Sequence, residues 1–515
     1  MVEIKGISLE TNKIHGIALP EDGYVVGYMA IKEKYGLKVP VPKRISIISK
    51  KNRQYEKGPF QIKTIRYLPE DNLYKHLVFA LKYEGINLSI LKSLFLQLAP
   101  DLVEKIIALE PTSQYSRKIW FLYEWLLDTN VEVSNAATNL TYVKLVDDRI
   151  QYSRIKGEKS SRHRIINNLL GTRDFCPHVY KSDLLQAFEQ KELHLKQDQY
   201  KNNFGKALLQ RASSFLLLAD SKASYTIEGE KVKNQRLIGR SRAIGKAGKN
   251  KLNIIELERL QHLVLEKKKH IKMGLREEGG FIGVHDKDTF EPIPEHISAR
   301  AKDLEVLIDG ICKVNEQLIE DEEFDPIIMA AIISFGFVFI HPFVDGNGRI
   351  HRYLIHHILS KKGFSHQGII FPISAAILDK INDYQNVLTS NSNLLLEYIQ
   401  WQSSNKHNVE VLNETMDLYS YFDCTEQSEF LYACVWNTIN EIIPNEIKYL
   451  QAYDEFKLEI EREIGLADNQ IDLLIKLMMQ HDGKLSNRKK EKHFPNLNEA
   501  EVDILEQKFE NIFKD

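Results

Sequence analysis

The sequence has few cysteines and no long hydrophobic run. Its four cysteines are scattered without a CxxC or CxxH pair, so their spacing indicates neither a zinc site nor a disulfide framework, and we expect buried thiols. The longest apolar stretch, residues 327–340, is too short to span a bilayer and predicts a buried core helix. The first residues, MVEIKGISLETNK, lack the apolar core of a secretory signal, so we expect a cytoplasmic protein.

The chain also lacks an excess of charge of either sign. Lys and Arg total 69 against 71 for Asp and Glu, so the net charge of -2 provides no general attraction to nucleic acid or to anionic lipid. We therefore expect no membrane partner, and nucleic acid is not favoured either. At 515 residues with 43% hydrophobic residues, the chain is long and apolar enough for two or three globular domains.

The N-terminal part of the chain predicts a mixed region followed by helices. Residues 23–69 contain a helix-like segment and then two runs of alternating apolar residues, which predict a hairpin. Helical spacing from 73 to 127, broken by glycine and proline, predicts a helical bundle. Residues 153–173 are rich in Lys, Arg and Ser and predict a solvated connecting loop.

A second unit begins near Lys206 with a predicted helix that ends at Gly229, and helical spacing continues to about residue 402. The remainder is again helical in pattern. We therefore expect a mainly α protein with an N-terminal α+β or helical domain of unknown role over residues 1–205, a central domain over 206–402 and a C-terminal helical region over 403–515.

The segment HPFVDGNGRIHR, residues 341–352, follows the long apolar helix directly. Pro342 prevents that helix from continuing unperturbed, and the GNG run gives the backbone freedom before a new helix starts near Arg349. The pattern predicts helix, tight loop, helix. Such a loop directs several backbone N–H groups into one concavity at a helix N-terminus, where the dipole favours negative charge, so it suits phosphate.

The side chains around this loop suit a nucleoside triphosphate. The spacing of Arg349 and Arg352 puts both guanidinium groups on one face of the new helix as a polyphosphate clamp. Asp345 offers the hard carboxylate oxygen that Mg²⁺ requires beside phosphates. His341, with an ordinary pKa of about 6.5, can remove a hydroxyl proton. A satisfied core histidine beside turn-forming residues is the simpler alternative, but it leaves two arginines unexplained.

Residues 341–352 match every fixed position of HxFx(D/E)GNGRxxR, so the segment resembles the signature of the Fic (filamentation induced by cAMP) family. The resemblance implies a Fic-type helical bundle with a small β-hairpin flap, and a protein adenylyltransferase of the long bacterial type. In that reaction His341 deprotonates a Tyr, Ser or Thr hydroxyl of a target protein, and the oxygen attacks the α-phosphate of ATP. AMP is transferred and pyrophosphate leaves.

The same resemblance implies roles for the other signature residues. Asp345 would hold Mg²⁺, while Arg349 and Arg352 would bind the β- and γ-phosphates. Gly348 and Arg349 stand where the phosphate-transferring Doc toxins have a different loop, so AMP transfer is favoured over phosphate transfer. The implied nucleotide-binding residues of the signature are Gly346, Asn347, Gly348, Arg349 and Arg352.

Two further segments are similar to parts of the family's nucleotide site. Residues 279–297 resemble the flap, a hairpin over the active site whose backbone pairs with the target segment by strand addition. Tyr384 and Asn391 have a spacing that resembles the adenosine-pocket pair. The flap residues that the resemblance places nearest the nucleotide are Ile282, Gly283, Val284 and His285.

The segment SYTIEG, residues 224–229, is similar to the family's inhibitory motif (S/T)xxxE(G/N), with Ser224, Glu228 and Gly229 at its fixed positions. Glu228 falls in the last turn of its predicted helix, where the dipole disfavours a carboxylate, and Gly229 suits helix termination. The resemblance places Glu228 against Arg352, where it would prevent binding of the γ-phosphate. The simpler alternative is an exposed glutamate beside a helix-stop glycine.

Two basic segments carry weaker signals. GRSRAIGKAG, residues 239–248, has some phosphate-loop character, but its spacing to GK is one residue too long and no Ser or Thr follows, so we expect a basic, solvated connector. NRKKEKH, residues 487–493, is expected to form a helix face in water.

Two other functions remain open. In some relatives the inhibitory glutamate positions a water that removes AMP, so the protein could be a deAMPylase or a bifunctional AMP switch. Alternatively, the helix and hairpin near the N-terminus could form a winged-helix-like module in a regulatory or nucleic-acid-binding protein whose Fic unit senses nucleotide. The expected substrates are ATP and a protein target, and both self-modification and oligomer formation are compatible with the sequence.

Overall fold

The computed structural model describes residues 6–191, 193, 204–231, 234–265, 271–364 and 371–513. Helices account for 53% of the structure and the strands form small sheets, which confirms the prediction of a mainly α protein. Within these residues, no helix combines the length and the apolar character that crossing a membrane requires.

The N-terminal residues form a five-stranded sheet with one helix, in the strand order β1-β2-β3-β5-β4. The elements are β1 (Leu9–Ile14), β2 (Ile17–Val25), α1 (Gly27–Tyr35), β3 (Ile45–Ser49), β4 (Tyr55–Lys57) and β5 (Phe60–Lys63).

The predicted hairpin between the two apolar runs is wrong, because β3 and β5 pair in parallel. Asn52 and Gly58 adopt left-handed conformations, with φ of 54° and 56°, and the chain reverses at each of them. The short strand β4 lies between these turns and pairs antiparallel with β5. The alternating pattern located β3 and β5 but did not reveal the strand between them.

Four helices follow and form the predicted bundle: α2 (Leu73–Tyr83), α3 (Leu88–Phe95), α4 (Pro100–Leu109) and α5 (Gln114–Leu127). Asn72 and Asn87 begin α2 and α3, because their side chains accept backbone N–H groups that lack a partner within the helix. The apolar faces of these helices and of α1 share one buried core.

Two strands of a three-stranded sheet lie within residues 153–173, so the prediction of a solvated connecting loop is wrong. The buried Arg154 donates to the carbonyl oxygens of Asn167 and Leu169, so its charge is bound by backbone groups instead of by water. The strands are β6 (Val143–Lys144), β7 (Glu158–Ser160) and β8 (Ile165–Asn167), in the order β6-β8-β7.

The central region surrounds one apolar helix that is buried on every side, which confirms the predicted core helix. Asp325 begins this helix by accepting the N–H groups of Ile327 and Ile328. The elements are α6 (Asp183–Glu189), α7 (Lys206–Ile227), α8 (Asn234–Ile244), α9 (Ile254–Leu265), β9 (Phe281–His285), β10 (Pro292–Ile297), α10 (Leu304–Glu320), the core helix α11 (Pro326–Ile340), α12 (Asn347–Lys361), α13 (Ile373–Asp379) and α14 (Ile381–Leu396).

The remaining elements are a second hairpin and a series of helices. They are β11 (Trp401–Ser403), β12 (Val409–Val411), α15 (Met416–Ser420), α16 (Thr425–Asn437), α17 (Ile443–Glu463), α18 (Asp468–Met479), α19 (Asn487–His493) and α20 (Glu499–Phe513), with 3₁₀ turns at Ile65–Tyr67 and Ala301–Asp303 and a π turn at Thr438–Ile442.

The buried clusters cross both predicted boundaries, because the largest one extends from Tyr152 through the central helices to Leu450. Helix α16 packs against α11 and belongs to the same buried cluster, whereas a separate cluster runs from Phe456 to Phe509. The division into residues 1–205, 206–402 and 403–515 stays a prediction. All four cysteines are free and buried, as predicted.

Candidate functional site

The loop between α11 and α12 has a shape that its own residues fix. His341 ends α11 in a left-handed conformation with φ 53°, and its N–H donates to the carbonyl oxygen of Phe337 across 3.0 Å. Asn347 closes the loop on Phe343: its Oδ1 accepts the Phe343 N–H at 3.0 Å, and its Nδ2 donates to the Phe343 carbonyl at 2.7 Å. The predicted order of helix, tight loop and helix is confirmed.

Two glycines let this loop approach its neighbours closely. Gly346 precedes α12 with φ 97°, and a Cβ there would lie 3.1 Å from Cγ2 of Val264. A Cβ on Gly348 would lie only 2.3 Å from Oε1 of Glu228. The loop backbone therefore lies against α9 on one side and against the Glu228 carboxylate on the other.

Arg349 lies in the first turn of α12 and is buried, with 2% of its side chain exposed. Its Nη1 donates to Oε2 of Glu230 at 3.1 Å and to the carbonyl oxygen of Val264 at 3.3 Å. Its Nη2 donates to Oδ1 of Asp345 at 2.9 Å. The guanidinium is thus held between two carboxylates, one of which belongs to the signature loop.

Arg352 lies one turn further along α12 and is equally buried. Its Nε donates to Oγ of Ser224, and its Nη2 donates to the Ser224 carbonyl oxygen, both at 2.8 Å. Nη2 also donates to Oε1 of Glu228 at 2.7 Å. Both signature arginines therefore face residues 224–230, at the end of α7.

A tight turn at the end of α7 places Ser224 and Glu228 beside Arg352. Helix α7 ends just before Glu228, and Gly229 follows with φ 69°, a left-handed conformation that terminates the helix. The N–H groups of Glu228 and Glu230 both donate to the carbonyl oxygen of Tyr225, at 3.1 and 3.0 Å. Ser224, Glu228 and Gly229 therefore share one turn directly against α12.

A buried carboxylate anchors α7 beside the site. Asp220 accepts the N–H of Ser374 at 2.6 Å and its hydroxyl at 3.1 Å, and lies 3.1 Å from Nε2 of His356. Burial alone would raise the pKa of Asp220. The neighbouring His356 and the other partners lower it by more than burial raises it, so the net pKa lies below its ordinary value. Because His356 belongs to α12 and Ser374 to α13, this one carboxylate joins three helices.

His341 has the properties of a neutral base. Its Nδ1 lies 3.3 Å from the carbonyl oxygen of Val338, which can only accept, so Nδ1 carries the proton and Nε2 keeps its lone pair. Burial, followed by the positive charge of Arg276, lowers the pKa of His341 to about 4. The imidazole is therefore neutral at physiological pH, with Nε2 available to accept a proton.

Arg276 supports the loop and is not among the site residues predicted from the sequence. Its Nε donates to the carbonyl oxygen of His341 at 2.9 Å, and its backbone N–H donates to that of Pro342 at 3.0 Å. Its other guanidinium nitrogens bind the carbonyl oxygens of Glu278 and Ala299. Burial lowers the pKa of Arg276 to about 10. No local sequence pattern marks this residue, since its partners are backbone groups.

The GRSRAIGKAG segment is not the solvated connector that the sequence predicted, so that interpretation is wrong. Its first part belongs to α8, and Arg240 is buried with its guanidinium 5.8 Å from the ring of Tyr225. The Arg240 Nη2 donates to the carbonyl oxygen of Arg349 at 3.2 Å. Leu237, Arg240 and Ile244 recur at helical spacing, a signal that marks this buried face.

The hairpin that the flap resemblance implied is confirmed, because β9 and β10 pair antiparallel with Val284 opposite Ile293. Both of these side chains are exposed on one face. His285 lies on the alternate face and donates through Nε2 to the carbonyl oxygen of His407 at 2.8 Å. The four named flap residues all lie in β9: Ile282, Gly283, Val284 and His285.

A second unpredicted residue joins the flap to α11. His296, in β10, is buried; its Nε2 donates to the carbonyl oxygen of Phe339 at 2.9 Å, and its Nδ1 contacts Oγ of Ser392 at 2.9 Å. Burial lowers the pKa of His296 to about 3. The centroid of its ring lies 6.4 Å from that of His341, so β10, α11 and α14 meet beside the signature histidine.

Tyr384 and Asn391 both lie in α14, but their surroundings differ. Tyr384 is buried and stacks on His351 with ring centroids 5.9 Å apart. Burial raises the pKa of Tyr384 to about 12, against the opposing charge of the nearby Arg352. Asn391 is buried and lines a cavity of about 50 Å³ together with N-terminal residues such as Lys43. Tyr384 thus lies beside Arg352, and Asn391 faces the junction with the N-terminal region.

Residues 253–359 match the family model described as the Fic/DOC family, which confirms the Fic resemblance for this segment. A relative named "Protein adenylyltransferase Fic", from Nematostella vectensis, is 29% identical over 111 residues, which are 21% of this chain and 24% of the relative. "Protein adenylyltransferase fic-1" from Caenorhabditis briggsae is 36% identical over 85 residues, 16% of this chain and 15% of the relative. The chain thus spans less than a quarter of the length of these curated relatives.

Comparison with solved structures finds two Fic proteins. A Fic family protein from Desulfovibrio desulfuricans is 16% identical, with a TM-score of 0.35 over 65% of this chain and 89% of that chain. A Fic domain containing signaling protein from Bacteroides thetaiotaomicron is 17% identical, with a TM-score of 0.35 over 50% of this chain and 95% of that chain.

Proposed function

We propose, from the match of residues 253–359 to the Fic/DOC family, that this protein transfers AMP from ATP to a hydroxyl side chain of a target protein. One observation carries the proposal: the buried Arg349 and Arg352 lie at the start of the helix that follows a glycine loop, and this loop begins at the neutral base His341. The relatives named protein adenylyltransferase support this activity.

His341 acts as the general base. Because Nδ1 is protonated toward Val338, Nε2 is the atom that accepts the hydroxyl proton of a target Tyr, Ser or Thr. The hydroxyl oxygen attacks the α-phosphorus of ATP, the bond between the α-phosphorus and its bridging oxygen to the β-phosphate breaks, and pyrophosphate leaves with that electron pair. The target then carries AMP, and the proton remains on His341 until solvent removes it.

Arg349 and Arg352 bind the β- and γ-phosphates, respectively. Their donors now contact carboxylate oxygens of Glu230, Asp345 and Glu228, which have the charge and the acceptor geometry of phosphate oxygens. The loop amides at the start of α12 add further donors in the direction that the helix dipole favours.

Asp345 is suited to hold Mg²⁺, since its carboxylate is 32% exposed and lies beside the phosphate-binding arginines. In nucleotide sites Mg²⁺ takes one or two carboxylates and completes its shell with phosphate oxygens and water. Among the residues that the structure describes, no group of three or more His, Cys, Asp or Glu side chains forms a metal cluster. When bound, the ion would neutralise phosphate charge at the point of attack.

Glu228 inhibits this reaction. Its carboxylate engages Arg352 and lies against the backbone of Gly348, so the γ-phosphate meets both an occupied cation and a like charge. ATP is then held with its α-phosphate out of line with the attacking oxygen. Ser224, which accepts from Nε and Nη2 of Arg352, fixes that arginine in the inhibited position.

The flap aligns the target. An extended target segment adds to the hairpin through backbone hydrogen bonds, and the exposed Ile282 and Val284 contact its side chains. Tyr384, beside Arg352, contributes to the nucleotide pocket. A contribution of Asn391 to that pocket stays a prediction.

Removal of AMP from a modified protein is a second candidate, favoured by the position of Glu228. A carboxylate held against Gly348 and steadied by Arg352 has the location that a general base for an attacking water requires. Incubation of one AMP-modified target with the wild type and with Glu228→Gln separates the two activities, since loss of removal in the variant would support this candidate.

Mass spectrometry of the purified chain incubated with ATP and Mg²⁺ tests the proposed transfer. We expect a mass gain of AMP that is strongest in Glu228→Gly and missing in Glu228→Gly combined with His341→Ala. The exposed His262, on α9, offers a matched control, because His262→Ala should leave the Glu228→Gly adduct unchanged. A gain of phosphate in place of AMP would refute the transfer of AMP.

A further inference from the structure

A second carboxylate of the inhibitory turn engages the other signature arginine. Oε2 of Glu230 accepts from Nη1 of Arg349 at 3.1 Å, while Oε1 of Glu228 accepts from Nη2 of Arg352 at 2.7 Å. The inhibitory motif includes Glu228 alone, since Glu230 lies outside its fixed positions.

The turn at Gly229 places both carboxylates on the same side. With φ 69° at Gly229, the N–H groups of Glu228 and Glu230 converge on the single carbonyl oxygen of Tyr225. The ring of Tyr225 also lies 5.7 Å from the guanidinium of Arg349. Glu228 and Glu230 are therefore fixed by one turn, and each contacts a different arginine.

The charges at this site explain why two carboxylates are stable there. Arg349 and Arg352 are almost fully buried, and the buried guanidinium of Arg240 lies behind them. Three buried cations in one place require anions, because a buried charge without a partner is strongly destabilising. A polyphosphate would supply those anions, and in its absence Glu228 and Glu230 supply them together with Asp345.

We propose that Glu230 is a second inhibitory residue, which occupies Arg349 and thereby opposes binding of the β-phosphate, as Glu228 opposes binding of the γ-phosphate. This inference rests on the proposed function for the identity of the nucleotide. Residues 228–230 would then discriminate between nucleotides by the number of their phosphates, and we call this turn the selector. AMP avoids both carboxylates, the β-phosphate of ADP competes with Glu230, and the phosphates of ATP compete with both.

Equilibrium binding of AMP, ADP and ATP tests this selector without turnover. All variants carry His341→Ala, so that no transfer occurs, and affinities are measured by titration calorimetry with Mg²⁺. Glu230→Gln, which keeps the side-chain shape, should tighten binding of ADP and ATP about tenfold, because it removes a charge-assisted hydrogen bond that competes with phosphate. Its affinity for AMP should stay that of the parent.

Glu228→Gln should instead tighten binding of ATP more than binding of ADP, and the double variant should combine both effects. Glu316→Gln is the matched control. Glu316 lies on α10, away from the site, and forms an exposed ion pair with Lys251, so its replacement should alter none of the affinities. Circular dichroism confirms that each variant is folded.

The outcomes separate this inference from the proposed function. If Glu228→Gln tightens ATP binding and Glu230→Gln leaves ADP binding unchanged, the role of Glu230 is refuted and the proposed function stands. Equal tightening of AMP, ADP and ATP by Glu230→Gln would also refute it, since the effect would not depend on the β-phosphate. If even the double variant binds none of the three nucleotides, both are refuted.

Discussion

Arg276 donates through Nε to the main-chain carbonyl oxygen of His341 across 2.9 Å. After burial, the charge of Arg276 is the next cause that lowers the pKa of that histidine. Arg276 is therefore a positioning residue with two separable effects, one on the path of the loop and one on the protonation of the base.

Replacing Arg276 by Gln removes the charge, so the pKa of His341 should rise toward its ordinary value. In a Glu228→Gly background, the rate of AMP transfer should then begin to fall at a higher pH as the medium is acidified, because the base must be unprotonated. Arg276→Lys keeps the charge and should retain the parent's profile. Rate profiles with the same acid limb in both variants would contradict the electrostatic role.

The same Arg276→Gln variant should be less stable. Buried carbonyl oxygens of the loop and of α11 lose charge-assisted donors, so the free energy of unfolding should decrease by about 2–4 kcal/mol. Urea denaturation measures this change. A midpoint equal to that of the parent would show that water replaces the guanidinium at no cost.

Buried histidines predict a loss of stability in acid. The pKa values of His296 and His351 are lowered to about 3, and those of His341 and His357 to about 4, in each case mainly by burial. In the unfolded chain these groups titrate near 6.5, so below that pH the unfolded state binds more protons than the folded state. Their contribution is fully present above pH 6.5 and is lost progressively down to about pH 4 for His341 and His357 and about pH 3 for His296 and His351.

Urea denaturation between about pH 7.5 and pH 5 should therefore show decreasing stability, by up to about 2 kcal/mol for each histidine at the acid end. His351→Gln, which retains a donor for the Ser334 carbonyl oxygen, should flatten the dependence. A free energy of unfolding that is constant over this range would mean that the histidines are more accessible to water than the structure indicates.

Release of the inhibitory turn should proceed in two steps. Glu228→Gly should raise the rate of AMP transfer about tenfold or more, because the strong contact to Arg352 is lost. Adding Glu230→Gln should raise it again, since the carboxylate that competes with phosphate for Nη1 of Arg349 is then removed. Adding Glu316→Gln in its place should have no effect. Transfer rates that are equal with and without Glu230 would argue against a second inhibitory contact.

The anchor of α7 should be coupled to inhibition. Asp220→Ala leaves Ser374 and His356 without their buried partner and should lower the free energy of unfolding by about 3–5 kcal/mol. Because α7 then holds the inhibitory turn less firmly, AMP transfer at low temperature should increase, whereas Asp220→Asn should show a smaller change in both. Thermal unfolding and the adduct mass measure the two effects. Reduced stability without increased AMP transfer would show that the contacts of Asp220 do not contribute to inhibition.

The sequence by itself determined the local parts of this protein. The signature loop could be predicted because the contacts that shape it lie within one short segment, such as those between Phe343 and Asn347. The same holds for the buried helix α11, whose apolar residues surround its whole circumference, and for the β9–β10 hairpin, whose strands are adjacent in the chain.

Only the tertiary structure decided which distant groups complete the site. Arg276, Arg240 and His296 bind backbone carbonyl oxygens on other elements, and a carbonyl has no sequence signature. Glu230 contacts Arg349 only because the turn at Gly229 faces α12. The parallel pairing of β3 with β5 likewise depended on two left-handed residues between them. Hydrophobic spacing specifies which face of an element is buried, but the partner of that face is chosen by the packing of the whole chain.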